Sequence, residues 1–325
     1  MSKLITATCI LAVVFIGGIG FYWDDEPPLF DVMQTTVEMA DKIKKPVVIG
    51  TATVATQIHI VDVLFNKRGG YLSNDVLPPS VMMDNVPEWE YGVLLQVRDL
   101  VRAMRDRISR SQSQSAEDKD LAMAEARFSI EHTSWIMPDA ESEYKEAIEY
   151  LKKYLLRLSN RDKKDAQFYA RADNLNYWLG IVEVRLGGLS QRLSASVGQK
   201  RINTDLAGEK AARQSTRNDD ELIVKTSWFQ VDNVFYEARG STWALLHLLK
   251  AIEVDFADVL EDKNAQVSIA QIIRELEATQ QELDAFMVLN GSGFGFLANH
   301  SLVMAAYISR ANAAIIDLRE LLEKG

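Results

Sequence analysis

The sequence predicts an all-α protein: an N-terminal transmembrane helix followed by an elongated multi-helix bundle with coiled-coil-like seams. An uncharged apolar run opens the chain, apolar residues recur at steps of three and four through most of the rest, and no segment alternates as a strand between hairpin turns.

Leu4 to Trp23 contains no charged side chain. As a helix rising about 1.5 Å per residue it is roughly 30 Å long, enough to cross a bilayer core. It closes with Phe21, Tyr22 and Trp23, aromatics that favour the headgroup layer. Lys3 precedes the run and Asp24, Asp25 and Glu26 follow it. By the positive-inside rule, the N-terminus is then cytoplasmic and everything after Trp23 lies outside the cytoplasm. A cleaved signal peptide would have a shorter apolar stretch and small residues at its end. Bulky aromatics stand there instead, so residues 1–23 read as an uncleaved anchor. Residues 24–30, with Pro27 and Pro28, read as a stiff spacer lifting the soluble part off the membrane. Residues 31–325 read as a helical ectodomain, with two helical halves meeting near 200–220.

Within that ectodomain the seams follow one another. Leu94, Val97, Val101, Met104 and Ile108 share one helical face, as do Tyr144, Ile148, Leu151, Leu155 and Leu158. A longer seam runs from Phe168 through Leu175, Leu179, Val182, Leu186 and Leu189 to Leu193, and another from Phe235 through Leu245, Leu249 and Ile252 to Val259. The last helix presents Met304, Ile308, Ala311, Ile315, Leu318 and Leu322. Seams this long favour helices packed at shallow angles. Ser115 ahead of Asp118, and Ser142 ahead of Tyr144, mark helix starts. Gly180, Gly187, Gly188 and Gly240 interrupt the seams, which points to close crossings or kinks.

The breaks are equally informative. Asn66 to Pro87, with Gly69, Gly70, Pro78, Pro79 and Pro87, is too long for a simple turn. The polar tract Ser109 to Ser115 ends the Leu94 helix. Val47 to Ile49 is an isolated β-branched stretch after Pro46. Lys200 to Asp220 is charged and weakly periodic, and reads as a crossover or a frayed helix extension. Asn290 to Asn299 carries Gly291, Gly293 and Gly295 beside Phe294 and Phe296, and reads as a helix cap and turn.

The runs Gly69-Gly70-Tyr71-Leu72-Ser73-Asn74-Asp75-Val76-Leu77-Pro78-Pro79, Arg110-Ser111-Gln112-Ser113-Gln114-Ser115 and Phe235-Tyr236-Glu237-Ala238-Arg239-Gly240 resemble a family of uncharacterised proteobacterial proteins, a domain of unknown function. The resemblance covers nearly the whole chain. It implies one N-terminal membrane segment in a Gram-negative inner membrane, and it carries over no catalytic residue.

Composition narrows the function classes. The 325 residues hold 36 Lys and Arg against 46 Asp and Glu, a net charge of −10. That balance argues against nucleic-acid binding, which needs clustered cations. An acidic ectodomain is also repelled by anionic lipid, so the apolar run, not a basic patch, must hold it to the membrane. Cys9 is the single cysteine and lies inside the apolar run as a small hydrophobe, which excludes an intramolecular disulfide and a thiolate metal cage. His59 and Asp62 are three apart and could face one metal, but two ligands are too few. His247 lies beside an apolar seam and packs there. The glycine-rich turn lacks the Gly-Lys-Ser/Thr ending of a phosphate loop, no Gly-x-Ser-x-Gly elbow is present, and Glu88/Glu90 and Glu141/Glu143 sit on helix starts where the dipole accounts for them. No catalytic residue, metal or cofactor is therefore assigned.

The candidate binding residues are Tyr71, Asn74 and Asp75 in the long loop, Trp89 at the start of the next helix, and Phe294 and Phe296 in the glycine-rich turn. Leu72 and Leu77 beside Tyr71 want burial, which makes that part of the loop a strap over the bundle; the glycines give Phe294 a mobile base suited to a partner. Two function classes follow. One is a membrane-tethered interaction scaffold or accessory subunit of the cell envelope, with the bilayer and an envelope protein as partners. The other is a ligand-binding or sensory ectodomain, or an envelope enzyme. A broad apolar patch would favour the first and a pocket of converging polar groups the second.

Overall fold

Each seam becomes a helix with its apolar stripe turned inward. The computed structural model describes residues 2–111, 116–160, 165–202, 221–285 and 287–324. The long elements are α1 (Ser2–Trp23), α2 (Val32–Ile43), α3 (Thr51–Asn66), α4 (Asn85–Ala103), α5 (Lys119–Phe128), α6 (Ala140–Leu158), α7 (Ala172–Ser194), α8 (Val231–Asp255), α9 (Ala257–Asp262), α10 (Gln266–Ala278) and α11 (His300–Glu323). The fold is all-α. α1 buries none of its side chains, whereas the seam residues of α4, α7 and α11 are buried throughout.

α4 packs chiefly on α8, and α7 on α11; α10 closes against α11, while α3 joins α8 to the α5–α6 pair. The helices run up and down. Trp89 meets Gly240 and Gln96 meets Ser241, so α4 and α8 leave the same end of the bundle, and α3 returns to it, with Thr53 beside Asp255 and Gly69 beside Trp23. That end, from which α1 projects, is the anchor end if residues 1–23 act as the sequence predicts.

A Cβ on Gly240 would lie 1.9 Å from the carbonyl oxygen of Trp89, and one on Gly92 2.1 Å from that of Glu237. α4 and α8 thus touch backbone to backbone, which only glycine permits. The close crossing expected at Gly240 is present. Gly188, by contrast, has nothing within 4 Å and opens to the surface.

Several local details differ from the sequence expectation. The Leu94 seam is one helix by periodicity, but Met104–Ile108 form a π-turn. The extra residue per turn keeps Met104 and Ile108 buried as the helix closes at Ser109. Phe168 packs on Phe256 with ring centroids 5.7 Å apart from outside α7, which starts at Ala172. The Phe235 seam breaks after Asp255 because that carboxylate turns inward: it accepts bonds from the amides of Gly50 at 2.8 Å and Thr53 at 2.7 Å, capping α3 from another helix. α5 and α6 are capped by Asp118 and Asp139, which accept from Asp120 and Leu121 and from Ser142 respectively. Ser142 is the donor rather than the cap, and Ser115 lies outside the described residues.

The flanks of the expected crossover pair as strands. β1 (Gln199–Ile202) runs antiparallel to β2 (Glu221–Val224), with Gln199 opposite Val224. Leu222-Ile223-Val224 carries a β-branched signal, but it is too short to stand out beside charged neighbours. Residues 203–220 lie outside the described set. Val47 to Ile49 is not a strand.

Candidate functional site

The residues joining α1 to the bundle do not hang free. Glu26 forms a bidentate ion pair with the buried Arg239 of α8, whose Nε donates at 2.8 Å. The same guanidinium donates to the carbonyl of Gln281 at 2.8 Å, so it ties together the segment after α1, α8 and the end of α10. Four residues on, the Phe30 amide donates to Nε2 of His247 at 3.1 Å, and the Phe30 ring stacks on the imidazole with centroids 3.8 Å apart and planes 8° from parallel. Arg68 pairs with Asp25 at 2.7 Å and lies over the Tyr22 ring. Residues 24–30 therefore clamp α1 to the bundle through charge, stacking and a backbone bond.

Between clamp and bundle lies a cavity of about 990 Å³. Asp24, Arg68, Trp89, Tyr236, Arg239 and Trp243 are among its lining residues. Burial, together with the neighbouring carboxylates of Glu26, Asp84 and Asp25, holds the Asp24 carboxyl above the usual range. Tyr236 is pushed up to about 12, chiefly by burial and then by Glu26 and Asp24. The indoles of Trp89 and Trp243 pack 5.2 Å apart, both buried, and neither Nε1 has a hydrogen-bond partner among the described residues.

The loop between α3 and α4 is fastened to this end by a carboxylate. Glu90, fully buried on α4, accepts from the amides of Leu72 at 2.9 Å and Ser73 at 2.8 Å and pairs with Lys67 at 2.7 Å. Burial raises its pKa, and Lys67 is the largest opposing influence. The helix-start explanation for Glu90 is corrected by this geometry, because its charge serves the loop and not the dipole. Nothing in its spacing distinguishes it from Glu88.

The six candidate binding residues separate by environment. Tyr71 is buried, donates to the carbonyl of His132 at 2.9 Å and meets the Tyr144 ring edge-on at 5.9 Å, as a strap anchor does. Trp89 is in the core. Asn74 donates to the Ser134 carbonyl at 3.3 Å, and Asp75 accepts from Ser80 Oγ at 2.7 Å, so both shape the loop. Phe294 and Phe296 are fully exposed. Their loop is closed by a bridge between Asn290 and Asn299, and Asn299 caps α11, so it opens a helix where the sequence suggests the end of one. Gly293 has a positive φ of 81°. Gly291 instead gives room, since a Cβ there would meet the Leu297 carbonyl oxygen at 2.2 Å. His59 stands edge-on to Phe30 at 4.4 Å. Among the described residues no three His, Cys, Asp or Glu side chains gather as metal ligands.

A second concavity, about 630 Å³, runs along the outer face of α7 past Gly180, Val184 and Gly188, flanked by Arg185 and Arg192. Arg185 is held by Asp99 at 2.8 Å and Arg192 by Glu237 at 2.6 Å. The groove is thus apolar along its floor and its cations are already paired.

Fold and junction define a helical-bundle protein with a long, wholly unburied apolar helix clamped to one end. The chain belongs to a bacterial family described as an uncharacterized protein conserved in bacteria (DUF2333), which matches residues 1–325. No curated protein and no solved structure matches the chain.

Proposed function

We propose that the protein is a single-pass inner-membrane protein with a cytoplasmic N-terminus, whose periplasmic bundle serves as an interaction scaffold or accessory subunit of a cell-envelope complex. The observation that carries this reading is the contrast between two apolar helices. α1 and α11 are both long and apolar enough to cross a membrane, yet α11 packs its stripe into the bundle while α1 buries nothing. A helix of that composition left in water would expose most of its apolar side chains, and a bilayer removes the cost. The apolar groove along α7 supports a protein partner, because its arginines are neutralised within the chain and Gly188 leaves room for a close approach.

Alkaline phosphatase fused after Gly325 should be active, and a cytoplasmic reporter at the same place inactive; the reverse would overturn the orientation. A mature N-terminus beginning after Trp23 would overturn the anchor. Affinity purification from detergent-solubilised membranes, with a photo-crosslinker in place of Val184, should capture one defined envelope protein. Failure to capture any would remove the scaffold reading.

One observation favours a second reading, a ligand-binding ectodomain. The junction cavity is lined by Asp24, Arg239 and the two tryptophans, whose N–H groups have no partner among the described residues, and a ligand there would change the fluorescence of Trp89 and Trp243.

A further inference from the structure

Outside α1, the described residues include five exposed aromatic side chains: Trp135, Trp228, Phe229, Phe294 and Phe296. All five lie in connecting segments at the anchor end. The exposed apolar side chains of the opposite end, such as Val47, Ile49 and Val267, are aliphatic. Single exposed apolar residues are ordinary, but a set confined to one end of an elongated bundle is not.

The loops are connected to the point where α1 emerges. A Cβ on Gly20 would touch Pro79 at 3.4 Å, and one on Gly69 would meet the Trp23 ring at 2.9 Å. Gly20 is three residues before Trp23, so the Pro79 loop reaches about 4.5 Å further along α1 than its aromatic end. At that point the loop exposes Leu77 and Met82. Bonds from Tyr71 to His132 and from Asn74 to Ser134 fix the neighbouring 130–139 loop, which exposes Trp135 and, beside it, Ile136. Trp228 and Phe229 precede the first turn of α8, whose Tyr236 lines the junction cavity with Phe21. The loop carrying Phe294 leads into His300, whose ring lies 6.4 Å from that of Phe235 on the same end of α8.

Their chemistry matches their place. Residues 76–83, 133–137 and 291–298 contain no charged side chain, while Asp75 and Asp84 bracket the first of them. An uncharged tip carrying Trp, Phe, Leu and Met enters the headgroup region without desolvating an ion, and aromatic rings are the side chains that prefer that layer.

We propose that the anchor end of the bundle is a lipid-contacting face, whose loop tips around Leu77, Trp135, Trp228 and Phe294 insert into the interfacial layer of the same bilayer that α1 crosses. This rests on the anchor reading given above. The occupant is lipid because the Pro79 loop touches α1 inside its apolar run, at a depth where a bilayer around α1 already surrounds it. With a net negative chain, insertion is driven by apolar burial and is insensitive to salt.

The test uses the full chain carrying Cys9→Ala, reconstituted in vesicles of phosphatidylethanolamine and phosphatidylglycerol. Single cysteines replacing Leu77, Ile136 or Phe294 receive an environment-sensitive fluorophore, with Ala12→Cys in α1 and Val267→Cys at the far end as references. Lipids bearing a nitroxide near the headgroup should quench the three loop positions by roughly half or more, and leave Val267→Cys unaltered. Ala12→Cys should respond to a nitroxide deep in the acyl chain. Loop positions that behave like Val267→Cys while Ala12→Cys is quenched would overturn the lipid face and leave the anchor standing. An unquenched Ala12→Cys would overturn the anchor itself. Loop positions shielded from both nitroxide lipid and aqueous iodide would show a protein contact there, which also overturns the proposal.

Discussion

Replacing His247 by glutamine should flatten the acid dependence of stability, because the junction is built on a neutral imidazole. The ring is buried; Nδ1 bonds to the Trp243 carbonyl at 2.7 Å and Nε2 accepts from the Phe30 amide at 3.1 Å, which requires a proton on Nδ1 alone. Burial lowers its pKa from 6.5 to about 3; the Trp243 carbonyl opposes the change, and Lys250 and His59 add to it. Between those values the unfolded chain takes up a proton that the folded ring refuses. Stability from this group is therefore complete above about pH 6.5 and declines as the pH falls towards about 3. At about 1.4 kcal/mol per pH unit the full effect approaches roughly 5 kcal/mol. Glu90, Asp99 and Asp255, whose pKa values burial raises, act in the opposite sense on acidification. None of them contacts His247, so they cancel when wild type and variant are compared. Urea unfolding of the full chain in detergent, followed by circular dichroism from about pH 7.5 to about pH 4, should show the wild type losing roughly 3 kcal/mol more than His247→Gln. Parallel losses would mean that the ring titrates normally and that Phe30 does not seal it.

Glu90→Gln leaves the Lys67 ammonium buried without its counter-charge and should cost about 3–5 kcal/mol; adding Lys67→Met should recover part of this, and no recovery in thermal melts would show that the amide bonds, not the ion pair, hold the loop. Gly240→Ala places a methyl group 1.9 Å from the Trp89 carbonyl oxygen and should destabilise strongly, whereas Gly188→Ala meets nothing within 4 Å and should gain about 0.5–1 kcal/mol; similar melting temperatures for the two would refute the backbone contact. Tyr71→Ala should lose about 3–5 kcal/mol as a large-to-small core change, while Phe294→Ala should leave melting unaltered, and a large effect at Phe294 would place it against the bundle.

The fold is legible where burial follows helical period. Val97 on α4, Leu186 on α7 and Ile315 on α11 can be placed in the core because each is one step in a long repeat. The junction is not legible, for the opposite reason. Arg239 and Glu26 are 213 positions apart, Phe30 and His247 are 217 apart, and no local pattern links residues that meet only through the tertiary path. Proline in 24–30 suggests a spacer, and the same rigidity serves a segment laid along the bundle. Glu90 shows a related limit: a helix-start carboxylate looks alike whether it faces water or a loop folded back over it. Of the candidate residues, Tyr71 can be recognised as an anchor from Leu72 beside it, although Leu77, expected to be buried with them, is exposed; the exposure of Phe294 and Phe296 follows from their glycine neighbours. Trp89 cannot, since its core position depends on Gly240 letting α8 approach.

The double fastening of residues 24–30 fixes how the body is presented. Glu26 paired with Arg239 and Phe30 stacked on His247 both oppose a swivel of the bundle about α1. On a flexible stalk it would sample every azimuth and tilt, and each encounter with a neighbour would have to halt that tumbling. A body mounted rigidly on its helix has already surrendered those rotations. On the membrane reading proposed above, such a body diffusing in the bilayer plane would present the flank of α7 at constant height and attitude, and the orientational entropy lost on docking there would be correspondingly smaller.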